Sequence, residues 1–287
     1  MLLTGNCRCF LRLFRHFSLS LHSEMKVRAK KRLGQHFLND ESIAHRIVES
    51  LLEMNPRGAE CSVLEVGPGM GVLTKYLLRE EGLDFRAVEI DGESVEYLVQ
   101  NYPAIRPHLY EEDFLRMDLG KIFPGRLAVI GNFPYNISSQ IFFKILDHKD
   151  NIPFAVGMIQ KEVADRLASP PGNKAYGILS VLLQAWYDIE YLFSVEPGSF
   201  TPPPKVRSAV IRIKRNGRTS LGCDEALFKR VVKTCFNMRR KTIRNSIRPL
   251  LGNGMSIEDT PLLDLRPEQL SVEKFVELTN HIITNQY

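Results

Sequence analysis

Apolar and polar positions follow two periods along this chain. Asp40 suits a helix N-cap, and Ile43, Ile47, Val48, Leu51 and Leu52 then share one helical face. Cys61 to Val66 is an apolar run of strand length that ends in Gly67-Pro68-Gly69-Met70-Gly71. Val72 to Arg79 reads as a helix, Phe85 to Ile90 as a strand and Glu93 to Asn101 as a helix. Short strands follow at His108–Tyr110 and Leu127–Gly131, then a helix at Ser139–Asp147. Phe154–Ile159 reads as a strand, Lys161–Leu167 and Tyr176–Trp186 as helices, and Ile189–Val195 and Val206–Ile213 as strands. Such alternation predicts an α/β layer structure with a mostly parallel sheet covered on both faces. Asn216 to Gly222 is polar and glycine-bearing, the composition of a linker. Beyond it only helical stripes are visible: Leu227, Val231, Val232 and Cys235, then Val272, Phe275, Val276 and Leu278.

The chain has 287 residues, 44% hydrophobic, enough to bury a core without disulfides. Cys7, Cys9, Cys61, Cys223 and Cys235 repeat no metal-ligand spacing, so an intracellular, zinc-free protein is expected. The formal net charge of +5 is modest, but its placement is not even. Five of the seven residues from Lys26 to Arg32 are basic. From Thr201 to Leu250 there are fourteen Lys and Arg against Asp224 and Glu225 alone. Clustering of this kind is the footprint of a nucleic-acid binder, although a solvated face has the same look. Residues 1–24 differ from the rest: Arg8, Arg12 and Arg15 lie among Leu and Phe, with no acid before Glu24. That segment reads either as an organellar transit peptide or as sequence upstream of a true start at Met25. Arg12 and Arg15 break its apolar run, which argues against a membrane span.

Glycines at a strand-to-helix turn let the backbone turn tightly and let a ligand approach closely. A dinucleotide fingerprint places its third glycine three residues after the second, whereas Gly71 follows Gly69 by two. Glu65 also precedes Gly67 by two. Both features favour a sulfonium cofactor, S-adenosylmethionine, which carries an ammonium group and no pyrophosphate. Glu89 at the end of the second strand suits two ribose hydroxyls. Asp113, beside Phe114, suits an adenine amino group. One acid at a strand end is unremarkable; three beside a glycine loop mark a site.

Asn132-Phe133-Pro134-Tyr135 follows the fourth strand. An adenine amino group is a poor nucleophile because its lone pair is delocalised into the ring. Two acceptors aimed at its hydrogens favour the pyramidal nitrogen that attacks a methyl group. The Asn132 side-chain oxygen and the Phe133 carbonyl can supply them. Pro134 restricts Phe133 to extended geometry, and Tyr135 offers a ring face for stacking. No general base is needed before attack, so the chemistry is preorganisation and positioning.

With these residues in view, the chain resembles the KsgA family of ribosomal RNA adenine dimethyltransferases, from Lys31 to about Thr279. Glu65 to Gly71 and Asn132 to Ser138 carry the likeness. Leu33-Gly34-Gln35-His36-Phe37-Leu38 resembles the family's opening motif, which implies cofactor contacts for His36 and Leu38. Phe200-Thr201-Pro202-Pro203-Pro204-Lys205-Val206 resembles its late motif, which implies that Phe200 closes over the target base opposite Tyr135. Phe236 to Ser246 resembles its basic helix. The second residue of the tetrapeptide is more often Leu in the family, and here it is Phe133. The resemblance implies a Rossmann-like class I S-adenosylmethionine-dependent methyltransferase domain over residues 25–215. A small all-α, RNA-binding C-terminal domain is implied over 220–287. The cofactor set expected is His36, Leu38, Glu65, Gly67, Gly69, Gly71, Glu89, Ile90, Asp113, Phe114 and Asn132. The catalytic set is Asn132, Phe133, Pro134, Tyr135 and Phe200. The RNA contacts expected are Lys30, Lys31, Arg32, Lys205, Arg239, Arg240, Lys241 and Arg244.

The implied reaction is dimethylation of two adjacent adenosines in a hairpin loop near the 3′ end of small-subunit ribosomal RNA. It would be carried out by a cytoplasmic monomer on an assembling subunit, or in an organelle if residues 1–24 are a transit peptide. Erm-type methylation of large-subunit RNA is a rival, as is a non-catalytic mitochondrial transcription or assembly factor of the same fold. The triple proline after Phe200 and the run Arg239 to Asn245 favour the first reading over Erm, and the intact Glu65, Glu89, Asp113 and Asn132 set argues against lost catalysis. DNA adenine methylation would share the tetrapeptide but not the flanking segments.

Overall fold

The computed structural model describes residues 27–56, 61–251 and 255–284. The leader 1–24 lies outside them, as do Cys7 and Cys9. In chain order the elements begin with β1 (Phe37–Leu38), α1 (Glu41–Leu52), β2 (Ser62–Val66), α2 (Thr74–Leu77), β3 (Phe85–Glu89), α3 (Gly92–Asn101) and β4 (Leu109–Glu111). They continue with α4 (Leu119–Ile122), β5 (Leu127–Asn132), α5 (Ser138–Asp147), β6 (Phe154–Gln160), α6 (Lys161–Leu167) and α7 (Ile178–Gln184). Then come β7 (Tyr187–Val195), β8 (Phe200–Thr201), β9 (Ser208–Arg215), α8 (Glu225–Asn237), α9 (Ile243–Ser246), β10 (Met255–Ile257), α10 (Val272–Asn280) and β11 (Ile282–Thr284).

Seven strands form the main sheet in the order β4-β3-β2-β5-β6-β9-β7. From β4 to β6 the pairs are parallel, while β9 runs antiparallel to both β6 and β7. The sheet is thus mostly parallel, as the sequence alternation predicts, with β9 running against its neighbours. The central strands β2, β5 and β6 are buried almost throughout. Their long apolar runs follow from being covered on both faces. The chain leaves β2 for β3 on one side and returns to β5 on the other. That reversal opens a crevice beyond the carboxyl ends of β2 and β5, the usual place for a ligand in an open α/β sheet. The glycine loop follows β2 and the Asn132 tetrapeptide follows β5.

Caps written in the sequence set several boundaries. Asp40 accepts from the amides of Ser42 and Ile43 to start α1, and Asp224 accepts from Leu227 to start α8. The helix expected over Val72–Arg79 shrinks to Thr74–Leu77, because the glycine loop runs on as a turn through Leu73. The helix expected from Tyr176 begins at Ile178, where Ser180 Oγ accepts from the Gly177 amide at 3.0 Å.

The C-terminal segment is not wholly helical, as had been expected. β10 pairs antiparallel with β11, matching Ile257 to Ile282. Three-residue strands are too short to show a period of two, so the helical stripes around them dominate the pattern. The segment also shares the main core. One apolar cluster runs from Leu64 and Val129 through Leu183 to Phe228, Val231 and Phe275, and α7 packs against both α8 and α10. No helix among the described residues is long and apolar enough to cross a membrane.

Candidate active site

A cleft lies at the reversal point between β2 and β5. Its walls come from four places: the segment Leu33–Leu38, the glycine loop, the ends of β3 and β4, and residues Asn132–Ile137. His36, Leu38, Glu65, Gly67, Gly69, Glu89, Ile90, Asp113, Phe114, Asn132, Phe133, Pro134 and Tyr135 all line it. Residues spread over a hundred positions of sequence thus meet at one cleft, as the strand-end reading requires.

The glycine loop is held by carboxylates from two strands. Gly67 and Gly69 have φ of 69° and 56°, a left-handed geometry that side chains resist. Glu89 accepts from the amides of Gly69 (3.0 Å), Ile90 (2.9 Å) and Asp91 (2.9 Å). Burial pushes the Glu89 carboxyl up, and those three amides pull against it. Glu65 is fully buried and accepts from Thr74 Oγ1 at 2.7 Å, its one donor among the described residues. Burial pushes it up to about 8. A carboxyl so placed is short of a cation. Asp113 accepts from the Leu115 amide at 2.9 Å, and Phe114 is buried beside it. Lys144 reaches under this turn, donating to the carbonyls of Leu115 and Met117 with its ammonium over the Phe114 ring. Ile90 is 53% exposed, an apolar surface left open on the cleft wall.

Asn132 is oriented from an unexpected direction. Its Nδ2 donates to the His36 backbone carbonyl at 2.8 Å, which leaves Oδ1 as the acceptor. The Phe133 amide donates to Met158 O at 3.0 Å, and no hydrogen bond among the described residues uses the Phe133 carbonyl. Tyr135 donates to or accepts from Ser208 Oγ, and its ring lies 5.2 Å from that of His36. Burial pushes the Tyr135 hydroxyl up.

Residues 30–39 form a strap across the cleft. Lys30 pairs with Asp91 and, at 3.1 Å, with Glu93. Gln35 donates to Asp91 at 3.3 Å. Asn136 donates to Arg32 O at 3.1 Å, and Asn39 donates to Thr201 Oγ1 at 2.6 Å. His36 Nδ1 lies 2.8 Å from Pro202 O. Burial raises Asp91, but Lys30, Gln35 and Ser94 outweigh it and hold the carboxyl below the ordinary range. Asp91, Asn136, Thr74, Ser208 and Lys144 were missed in the sequence. Only Asn136 and Asp91 carried a signal, as neighbours of the tetrapeptide and of Glu89.

Some expected roles change. Gly71 does not line the cleft; a Cβ there would meet Tyr102 at 2.5 Å and Leu98 at 3.0 Å, so it packs the turn onto α3. Phe200 does not line it either. Its strand β8 pairs with β1, Leu38 opposite Phe200, and the ring is 3% exposed in the core beneath the strap. Strand pairing turned the residue inward, a fact no local pattern shows. Of the expected RNA contacts, Lys30 is engaged with Asp91 and Glu93, and Arg244 with Asp259 and Asp264 at 3.2 and 3.3 Å. Lys31, Arg32, Lys205, Arg240 and Lys241 are exposed, with no ion pair among the described residues. The expected basic helix is in fact a turn, Met238–Lys241, between α8 and the four-residue α9.

Phe133, where the family more often has Leu, has a physical counterpart across the sheet. A Cβ at Gly157 would meet the Phe133 ring at 2.4 Å, and one at Gly131 would meet it at 2.9 Å. These two glycines make the room for the larger ring. Gly157→Ala is expected to destabilise the fold by about 1–3 kcal/mol through overpacking. Adding Phe133→Leu is expected to recover most of that. Urea unfolding of both variants checks this, and equal loss with and without Phe133→Leu would refute the pairing.

Comparison with known proteins agrees with this geometry. The family described as "Ribosomal RNA adenine dimethylase" matches residues 26–283. "Ribosomal RNA small subunit methyltransferase A" of Parabacteroides distasonis is 61% identical over 253 residues, which is 88% of this chain and 93% of that protein. Among solved structures, a dimethyladenosine transferase from Plasmodium falciparum aligns with a TM-score of 0.68 at 23% identity, covering 85% of this chain and 96% of its own. The 23S rRNA methyltransferase ErmE aligns with a TM-score of 0.62 at 25% identity, covering 85% and 99%.

Proposed function

Since the chain belongs to the ribosomal RNA adenine dimethylase family, we propose that it dimethylates two adjacent adenosines in a hairpin loop near the 3′ end of small-subunit ribosomal RNA. It is a Rossmann-like α/β methyltransferase. The relatives at 55–61% identity all carry small-subunit names, which favours this substrate over the large-subunit RNA of the Erm relative. A role in small-subunit biogenesis follows, and with it a cytoplasmic site of action. The bacterial origin of these relatives supports the cytoplasm over an organelle.

The cleft suits S-adenosylmethionine on its own chemistry. Glu65 is a buried carboxyl with no cation partner among the described residues, fit for an ammonium group. Glu89 keeps acceptor capacity for ribose hydroxyls beyond its three amides. Asp113 can accept an adenine amino group, while Ile90 and Phe114 offer apolar faces to the ring. The bound cofactor would supply an electrophilic methyl group.

The protein's part is to present the target nitrogen. Asn132 Oδ1 and the Phe133 carbonyl accept from the two amino hydrogens, and the Tyr135 ring stacks on the base. Buried Phe200 supports the strap from below and does not touch the base. After one transfer the nitrogen gives up a proton to water and keeps one hydrogen, so one acceptor contact persists while the second methyl is added. The observation that carries this reading is Asn132 fixed by the strap at the end of β5, facing the cleft that Glu65 and Glu89 close. Incubation with unmethylated small subunits and labelled cofactor, followed by nucleoside separation, is expected to yield dimethyladenosine. Label found only in large-subunit RNA, or none at all, would refute it.

A further inference from the structure

The turn that carries Asp113 and Phe114 leaves the main sheet at its border. β4 is three residues long, stands at the edge of the sheet and pairs with β3 alone. So short an edge strand gives the segment after it little hold. Part of the hold is local. Asp113 Oδ1 accepts from the Leu115 amide at 2.9 Å, and the Asp113 carbonyl accepts from the amides of Arg116 (2.9 Å) and Met117 (3.0 Å). These bonds satisfy amides and leave the carbonyls of Leu115 and Met117 to be met from elsewhere.

Lys144 meets both. Its Nζ donates to Leu115 O at 3.1 Å and to Met117 O, and neither carbonyl has another donor among the described residues. The same ammonium lies over the Phe114 ring, 5.4 Å from the centroid, within range of a cation–π contact. Burial pushes the ammonium down, against the pull of Asp113, Glu112, Asp118 and Asp147. Lys144 has no ion pair among the described residues; its donors go to two backbone carbonyls and its charge to a ring.

The other end of this side chain is anchored in the catalytic segment. Lys144 belongs to α5, which grows out of the Asn132–Tyr135 tetrapeptide. The Ile137 amide donates to Pro134 O at 3.2 Å, and Ser138 Oγ donates to Tyr135 O at 3.3 Å. Further along α5 the Phe142 ring meets the Phe133 ring edge-on, with centroids 5.9 Å apart. One lysine therefore ties the helix behind the tetrapeptide to a turn that lines the same cleft.

We infer that Lys144 is a positioning residue that fixes the Asp113–Phe114 turn and thereby makes the cleft select a cofactor whose purine carries a 6-amino group. Asp113 touches that amino group, and Lys144 acts through it. This rests on the cofactor reading proposed above and extends it to why the base is adenine. An acceptor discriminates only when its direction is set by the groups behind it. A carboxylate on a loose turn swings to water and loses the distinction.

The test is calorimetry of the full chain with two ligands: S-adenosylhomocysteine, and its analogue with hydrogen in place of the purine 6-amino group. The wild type is expected to prefer the amino compound by roughly ten- to hundredfold, the worth of a hydrogen bond to a charged acceptor. Lys144→Met keeps the length and apolar stem of the side chain. It is expected to weaken the amino compound by about tenfold while leaving the analogue's affinity in place. Lys144→Gln, which still donates to one carbonyl, is expected to keep an intermediate preference. In an Asp113→Ala background Lys144→Met should change the preference no further, since the group it acts through is gone. Equal losses of both ligands in Lys144→Met would make the lysine a prop of the fold and overturn the proposal. Should Lys144→Met not fold, as read by urea unfolding, Lys144→Gln decides on its own: an unchanged preference would overturn the proposal. A wild type without preference would overturn it together with the role given to Asp113. A wild type that binds neither ligand would overturn the cofactor reading beneath both.

Discussion

Asn132→Ala is expected to slow single-turnover methylation of small ribosomal subunits by roughly two to three orders of magnitude, the usual cost of losing a preorganised polar contact at the reacting atom. Cofactor affinity should change little, because Glu65, Glu89 and Asp113 remain. The structure explains why so much rests on one amide. Its nitrogen is taken by the His36 carbonyl, so the oxygen has a fixed direction before any RNA arrives. Asn132→Asp separates the two ends of that amide. It keeps an acceptor and loses the donor to His36, so it should recover little of the lost rate. Near-normal dimethyladenosine from the alanine variant would mean that the catalytic centre lies elsewhere.

The second large effect concerns the cofactor and its pH dependence. Glu89→Ala strands the amides of Gly69, Ile90 and Asp91 and loosens the glycine loop. S-adenosylmethionine binding is expected to weaken by about 1–3 kcal/mol, since hydrogen bonds to a charged acceptor are worth about that much. Glu65 adds a proton linkage. Its carboxyl, pushed up to about 8, holds a proton at neutral pH. Pairing with a ligand ammonium requires that proton to leave. Affinity should therefore rise with pH at first, by up to about tenfold per unit, and fall again as the ligand's own α-ammonium, with a pKa of about 7.7–8.0, gives up its proton. Glu65→Gln should flatten the profile. Calorimetry between pH 6 and 9 decides the matter: a flat wild-type profile would sink the linkage.

The Arg244 and Lys30 pairs carry a lesson about reading charge from sequence. Both stand in basic runs, and both turn out to be matched by acids distant in the chain, Asp259 and Asp264 in one case, Asp91 and Glu93 in the other. Charge counts report composition; which charges remain available depends on what folds against them.

By itself the sequence determined the parts of this protein whose chemistry is local. The strands β2, β3 and β5 were legible because burial on both faces demands unbroken apolar runs. The glycine loop was legible because positive φ demands glycine at Gly67 and Gly69. Glu65, Glu89, Asp113 and Asn132 followed from their place at strand ends, since parallel strands bring their carboxyl ends to one edge. Only the tertiary structure decided what depends on pairing between distant segments. It joined Leu38 to Phe200 and so turned Phe200 inward, set the His36 carbonyl on Asn132, cleared Gly157 for the Phe133 ring and paired β10 with β11. Short strands carry too few residues to show a period, and a side chain's partner across a hundred residues leaves no trace in its own neighbourhood. Local pattern records which face is buried; it does not record against what.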